Sequence, residues 1–316
     1  MVKLIKIMTA KTVKIPESRI NKRKRRSILF DIAIEKFFLI IGLSCLFILF
    51  LIMLFLVKEG VPVFKTVSIS DFIFGKEWYP TSENARFGIF PLIVASLSVT
   101  LMASIIAVPL SMAIAIYLAE VAHSTVREIV KPVIEIIASI PSVIIGFFGM
   151  VVVAPYLQTR FGIDTGLNLF NASLMLAFMA VPTIASISED AISSVPMSLK
   201  EASYALGANR WQTIVHITIP AALSGIWTAI ILGISRVIGE TMVVLMVAGG
   251  ATIVPTSLFD PVRPLTSNIA AEMAETEVGG THYNALFAIG MILFIITFFF
   301  NIAADYLSEK YKFKPN

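Results

Sequence analysis

Two long apolar runs constrain this chain more than any other feature. Residues 37–57 and 88–119 carry no Asp, Glu, Lys or Arg. An α-helix rises about 1.5 Å per residue, so about 20 apolar residues cross the roughly 30 Å hydrocarbon layer of a bilayer. Inside that layer every backbone N–H and C=O must find a partner within the protein, which leaves helices and closed barrels. Runs this long and this apolar read as helices. With 57% hydrophobic and only 15% charged residues, against about a quarter charged in soluble domains, the chain reads as an all-α, polytopic membrane protein.

Six spans fit the pattern: 37–57, one within 88–119, about 132–157, about 171–188, about 220–249 and about 283–304. The second run is long for one upright span and short for two, and Pro109 is placed to kink it; one long helix projecting past the bilayer is expected. The domain reading is a basic tail over 1–36, a first span over 37–57, an extracytoplasmic loop over 58–87, a core over 88–304 holding a cytoplasmic loop at 196–220, and a C-terminal tail over 305–316. The first 36 residues hold 11 Lys/Arg and three acids. A nucleic-acid patch would look similar, but a basic run just before a span reads as a cytoplasmic tail under the positive-inside rule. With the N-terminus inside, 18 of the 25 Lys/Arg fall on the cytoplasmic side and six outside, the last being Arg236. Both termini are therefore expected in the cytoplasm, and no nucleic acid is expected as a partner.

The single cysteine, Cys45, excludes an intramolecular disulfide. No G-x-x-x-x-G-K-[ST] and no G-x-S-x-G occurs, so neither a P-loop nor a nucleophile elbow is expected. His123, His216 and His282 lie far apart in sequence and suggest no metal site.

"SRVIGETMVVLMVAGG", residues 235–250, places Arg236 and Glu240 inside the fifth apolar run. A charge at the bilayer centre costs about 2.5–3.5 kcal/mol on insertion scales. On a continuous helix Gly225, Ala229, Gly233, Arg236 and Glu240 fall within an arc of about 80°. Three of them form a small-xxx-small row that admits a neighbouring helix closely. One reading is an internal ion pair at i and i+4. The other is an anion path, in which Arg236 offers a planar fork of donors that stays charged and Glu240 balances it. Glu135 is expected at the interface. Glu189 and Asp190 either meet the cytoplasmic loop or face water. Thr183, Ser186 and Ser188 either line a polar path or bond back to their own helix near Pro182.

The loop at 196–220 contains "EASYALGANRWQTIVHITIP". Ser198 is expected to cap a short helix with Glu201 at its third position, and Gly207 to end it. Leu199, Ala202, Ala205 and Leu206 share one face. The order Glu201-Ala202-Ser203, then Gly207, then Ile217-Thr218-Ile219-Pro220 resembles the EAA loop of ABC-importer permeases, with serine for the second alanine and isoleucine for leucine. The stretches "IPSVIIGFFG", "VPTIASISEDAISSVP" and "GETMVVLMVAGG" are similar to the phosphate-specific (Pst) permeases. The last stretch, the long loop after the first span and the extended N-terminus resemble the PstC type rather than its PstA-type partner.

The resemblance implies an ABC type-1 permease fold in the inner membrane with an additional N-terminal span. It implies a phosphate path that includes Arg236 and Glu240, and an ATPase-coupling joint at Glu201, Ala202 and Gly207. The expected partners are a homologous PstA-like permease, two PstB-like ATP-binding subunits, a PstS-like extracytoplasmic phosphate-binding protein and membrane lipid. No cofactor is expected on this chain, ATP being used by the partner, and no bond chemistry of its own. A permease for another oxyanion or solute, the PstA-type partner subunit, and an ATP-independent secondary transporter or channel are the alternatives.

Overall fold

The structure is a computed structural model that describes residues 17–310. Among the described residues six helices are long and apolar enough to cross a membrane: Ile34–Lys65, Phe90–Val121, Ser142–Phe161, Leu169–Ser193, Arg210–Ile238 and Thr281–Ala303. The chain divides into two units, Met1–Phe55 and Leu56–Asn316. The first contains most of α1 (Glu17–Gly60), whose side chains from Phe37 to Phe55 are exposed along its length. Residues 1–16 of the expected basic tail and 311–316 of the C-terminal tail lie outside the described residues. Within the described part, α1 runs unbroken from Glu17, so residues 17–36 continue the helix of the span.

In the second unit the segment expected as a loop over 58–87 is folded. It holds a short 3₁₀ turn (Val61–Lys65), α2 (Ile69–Phe74) and a hairpin of β1 (Trp78–Tyr79) and β2 (Arg86–Phe87). Ser68 caps α2, its Oγ accepting from the Asp71 N–H at 3.1 Å. Phe72, Trp78, Phe87, Ile89 and Leu92 bury against Leu265, Leu286 and Ile289, forming a cap of apolar side chains at one end of the bundle.

The second span is one helix, α3 (Phe90–Ile116), with Pro109 inside it, closed by a π turn over Tyr117–Val121. The third span differs from expectation. Residues 132–138 belong to α4 (Ser124–Ala138), a separate helix with no buried residue, and the chain breaks at Ser139–Ile140 before α5 (Ser142–Phe148) and α6 (Ala154–Phe161). Pro141 is the N-cap of α5; proline has no N–H to donate to a preceding turn and biases the residue before it away from helix, so it separates the two helices. Glu135 therefore lies on α4, outside the span that crosses at Ser142–Phe161.

The fourth span is α7 (Leu169–Ser193), capped by Asn168, whose Oδ1 accepts from the Asn171 N–H at 3.0 Å. It is followed by α8 (Met197–Ala205) and α9 (Arg210–Thr213). The fifth span also differs. It begins at Arg210 rather than 220, passes through a π turn (Ile214–Thr218) into α10 (Ile219–Ile238), and stops at Gly239 rather than 249. The remainder forms α11 (Met242–Val247), a loop and α12 (Leu265–Glu272) before α13 (Thr281–Lys310). Two π turns, Gly149–Val153 and Ile214–Thr218, end just before Pro155 and Pro220. A widened turn accommodates a proline that neither donates to residue i−4 nor tolerates its carbonyl.

The main core joins α3, α7, α10 and α11 through residues such as Val99, Ala103, Leu176, Ala180, Ile184, Val237 and Val244. The expected small-residue row on α10 makes this contact. A Cβ on Gly225 would stand 2.5 Å from the Ala191 Cβ, and one on Gly233 would stand 2.2 Å from Ile184 Cγ1. Gly233→Ala is therefore expected to lower thermal stability in detergent by about 1–3 kcal/mol through overpacking. Adding Ile184→Ala removes both atoms that clash and should recover part of the loss, a non-additivity that melting of the two single variants and the double variant measures.

Candidate functional site

Arg236 occupies the last turn of α10. Its Nη1 donates to Thr183 Oγ1 on α7 at 3.1 Å. Thr183 is near the midpoint of α7, so the guanidinium reaches the middle of the bundle from the face of α10 that packs on α7. The residue is exposed on this chain, and among the described residues no carboxylate oxygen lies within 4.0 Å of its nitrogens.

Glu240 is not one helical turn further on. The helix ends at Gly239, and Glu240 opens the next element: its Oε1 accepts from the N–H groups of Met242 at 3.1 Å and Val243 at 3.3 Å, satisfying the first donors of α11. Its carbonyl oxygen accepts from Thr266 Oγ1 of α12 at 2.7 Å. The expected i, i+4 pair is thus not formed, because the continuous helix that would align the two side chains stops between them. Of the three hydroxyls expected near Pro182, Thr183 holds the arginine, Ser186 is half-buried, and Ser188 is buried with no partner for its Oγ among the described residues.

Glu189 and Asp190 meet α4 rather than the 196–220 loop. Glu189, 1% exposed, receives Arg127 and, at 2.7 Å, Lys131; Asp190 pairs with Lys131, and Arg127 Nη2 donates to Ser193 Oγ at 2.7 Å. Burial alone would lower the Lys131 pKa, but the carboxylates of Asp190 and Glu189 outweigh it and hold the ammonium above its ordinary value. These contacts clamp α4 across the end of α7. Nothing in the sequence pairs residues some 60 positions apart, and this cluster was not legible there.

The 196–220 loop is a helix with one correction. Pro196, not Ser198, is the N-cap of α8, and no side chain caps it. The C-terminus is as expected: Gly207 has φ +85°, the Ala208 N–H donates to the Ser203 carbonyl and the Gly207 N–H to the Tyr204 carbonyl. This 6→1 and 5→2 pattern requires the left-handed conformation that glycine adopts freely. Glu201 and Ala202 are exposed. The apolar face expected from Leu199, Ala202, Ala205 and Leu206 is not buried as a unit: Leu199 packs on a cluster of Ala115, Ile192, Val195, Ala222 and Ile226, while Leu206 is 89% exposed beside exposed Tyr204 and Trp211. Ser203, in place of the motif's second alanine, is buried and shares a 2.9 Å hydrogen bond with Thr213 Oγ1.

At the opposite end, Glu272 gathers three donors that sequence reasoning missed: Arg263 Nη1 at 2.6 Å, His282 Nε2 at 2.8 Å and Trp78 Nε1 at 3.0 Å. In the loop before α12, the N–H groups of Thr256 and Ser257 and the Thr256 hydroxyl donate to Asp260 Oδ2, holding that carboxyl below the usual range.

Residues 107–313 match the family described as binding-protein-dependent transport system inner membrane component. The probable ABC transporter permease protein YqgH of Bacillus subtilis (strain 168) is 38% identical over 263 residues, 83% of this chain and 85% of that protein. The phosphate transport system permease protein PstC of Mesorhizobium japonicum is 34% identical over 256 residues, 75% of this chain and 77% of that protein. The fold is shared with a bacterial alginate ABC transporter crystallised with an alginate pentasaccharide-bound periplasmic protein (TM-score 0.59, 18% identity, 92% of this chain and 96% of that one). It is also shared with the inward-facing MetNI methionine ABC transporter (TM-score 0.55, 21% identity, 69% of this chain and 94% of that one). With the family matched over most of its length and its apolar helices placed as a multi-pass bundle, the chain belongs to the binding-protein-dependent transport system inner membrane components.

Proposed function

We propose that this chain is the permease subunit of an ATP-driven phosphate importer, forming the anion path together with a homologous permease. It receives phosphate from an extracytoplasmic binding protein and is driven by separate ATP-binding subunits docked at α8. The observation that carries the reading is Arg236: a guanidinium level with the midpoint of α7, exposed on this chain, held by a neutral hydroxyl and, among the described residues, by no carboxylate. A charge in that position does not face hydrocarbon; it faces a partner subunit or water, and such residues mark ion pathways. The relatives named as phosphate permeases support phosphate as the anion. Because Glu240 spends its carboxylate on backbone donors, it sets the local potential and holds α11 in place without neutralising the arginine directly. This leaves Arg236 able to meet a tetrahedral oxyanion with two parallel donors. The chain performs no bond chemistry; ATP is consumed by the partner.

Arg236→Gln is expected to lower phosphate uptake in proteoliposomes by roughly ten- to a hundredfold while the ATPase still co-purifies, since a hydrogen bond to a charged group contributes about 1.5–3 kcal/mol. Arg236→Lys should recover only part, lacking the planar fork. Undiminished uptake by Arg236→Gln overturns the path.

For the joint, Gly207→Val and Gly207→Asn separate backbone conformation from side-chain space, because a Cβ at this position meets nothing within 4 Å. Valine is expected to abolish most phosphate-stimulated ATP hydrolysis in the reconstituted complex, and asparagine, which tolerates the left-handed region, to retain it. Equal activity of the two would remove the backbone requirement.

The charge bias supports a topology with α8 and both termini in the cytoplasm. Single cysteines at Leu206 and at Val278, 89% and 85% exposed, in a Cys45→Ser background report this directly. An impermeant thiol reagent should label position 278 in intact cells and position 206 only after permeabilisation; the reverse pattern inverts the topology.

A further inference from the structure

We propose that Glu120 is a positioning residue that fastens α8 to the end of α3, so that movement imposed on α8 reaches the arginine through α3 and α7. The inference deepens the reading above and rests on it. Glu120 lies in the π turn that ends α3, 8% exposed, and its Oε1 meets Lys200 Nζ of α8 at 2.5 Å, the lysine being 12% exposed. Arg210, at the start of α9, donates to the Glu120 backbone carbonyl. The Ser203–Thr213 hydrogen bond locks α8 to α9, so α8 and α9 form one piece held to α3 at Glu120 through both its side chain and its carbonyl.

The rest of α8 is loosely held. Met197, Tyr204 and Leu206 are exposed, and Leu199 alone among its large side chains packs on the apolar cluster at this end. Apolar contact is non-directional and tolerates sliding, whereas a buried ion pair is lost when its partners separate, because each charge is then stranded in a poorly solvated site. The pair therefore transmits displacement where Leu199 does not.

Beyond Glu120 the connection is continuous. α3 packs along α7 through Val99, Ala103, Leu176 and Ala180, and Ser111 Oγ of α3 donates to the Val181 carbonyl at 3.2 Å. Two residues on, Thr183 accepts from Arg236. A shift of α3 along its axis thus alters the seat of the guanidinium without any contact between α8 and the anion path. Transmission of this kind requires packed elements rather than proximity, and its test is a coupling measurement.

Glu120→Gln, Lys200→Gln and the exchange Glu120→Lys/Lys200→Glu are reconstituted in the complete complex with its binding protein. Phosphate moved and ATP hydrolysed are measured in the same vesicles. The substitutions leave the Glu120 carbonyl available to Arg210. Each single change is expected to keep ATP hydrolysis within about twofold while phosphate moved per ATP falls about tenfold, and the exchange to restore at least half of the lost ratio. An unchanged ratio in Glu120→Gln overturns the proposal. So does an exchange that recovers assembly but not the ratio, since opposed charges in either order re-form the link; a merely structural pair would show its loss in assembly rather than in phosphate moved per ATP. If a single variant does not assemble, the exchange decides alone. If the unaltered complex moves no phosphate, the functional reading has failed; if it moves phosphate and the variants match it, only the role of Glu120 has.

Discussion

A guanidinium at the middle of a membrane-spanning bundle is the constraint on which this structure turns. A guanidinium carries a full charge, which hydrocarbon strongly disfavours. The face of α10 that carries it is therefore committed to protein or water. Gly225 and Gly233 on that helix let α7 approach within the reach of Ala191 and Ile184, and this approach brings Thr183 to the guanidinium. A larger residue at either glycine would move α7 away from the arginine as well as disturb the core.

The break at Gly239 separates two roles that a continuous helix would have merged. On a continuous helix a carboxylate one turn beyond Arg236 would sit where a salt bridge can close. By turning Glu240 onto the N–H groups of α11, the chain keeps a carboxylate near the arginine without spending the arginine on it. In the function proposed above, the open donor fork is what attracts the anion and then releases it.

The two ends of the bundle are built differently. At one end Glu272 collects Trp78, Arg263 and His282, tying the hairpin, the loop before α12 and α13 into one cap over an apolar cluster. At the other, charge pairs hold separate surface helices against the spans: Arg127 and Lys131 hold α4 to α7, and Lys200 holds α8 to α3. The cap joins its segments through one half-buried hub. The opposite end holds each surface helix by its own ion pairs, so that α8 presents Tyr204 and Leu206 outward while staying anchored.

Six spans, the long second helix, the small-residue row and the turn at Gly207 were legible in the sequence, because each is set by local chemistry: apolar length, side-chain size and backbone conformation. The start of the third span and the end of the fifth were misplaced where hydropathy continues while the backbone does not; the cap of α8 was misplaced because Pro196, not Ser198, opens the helix. Residues 132–138 are apolar enough to pass for membrane, yet Pro141 cuts them off; residues 242–247 are as apolar as the span before them, yet Gly239 ends that span and Glu240 caps a new helix. Residue type and spacing determined that this chain crosses a membrane, that it carries an arginine within an apolar span and that a short helix follows the fourth span. Only the tertiary structure decided that Arg236 rests on Thr183 rather than on Glu240, that Glu189 belongs to α4 and that Glu120 holds Lys200, because these contacts join residues 53 to 80 positions apart and exist only once the helices have packed.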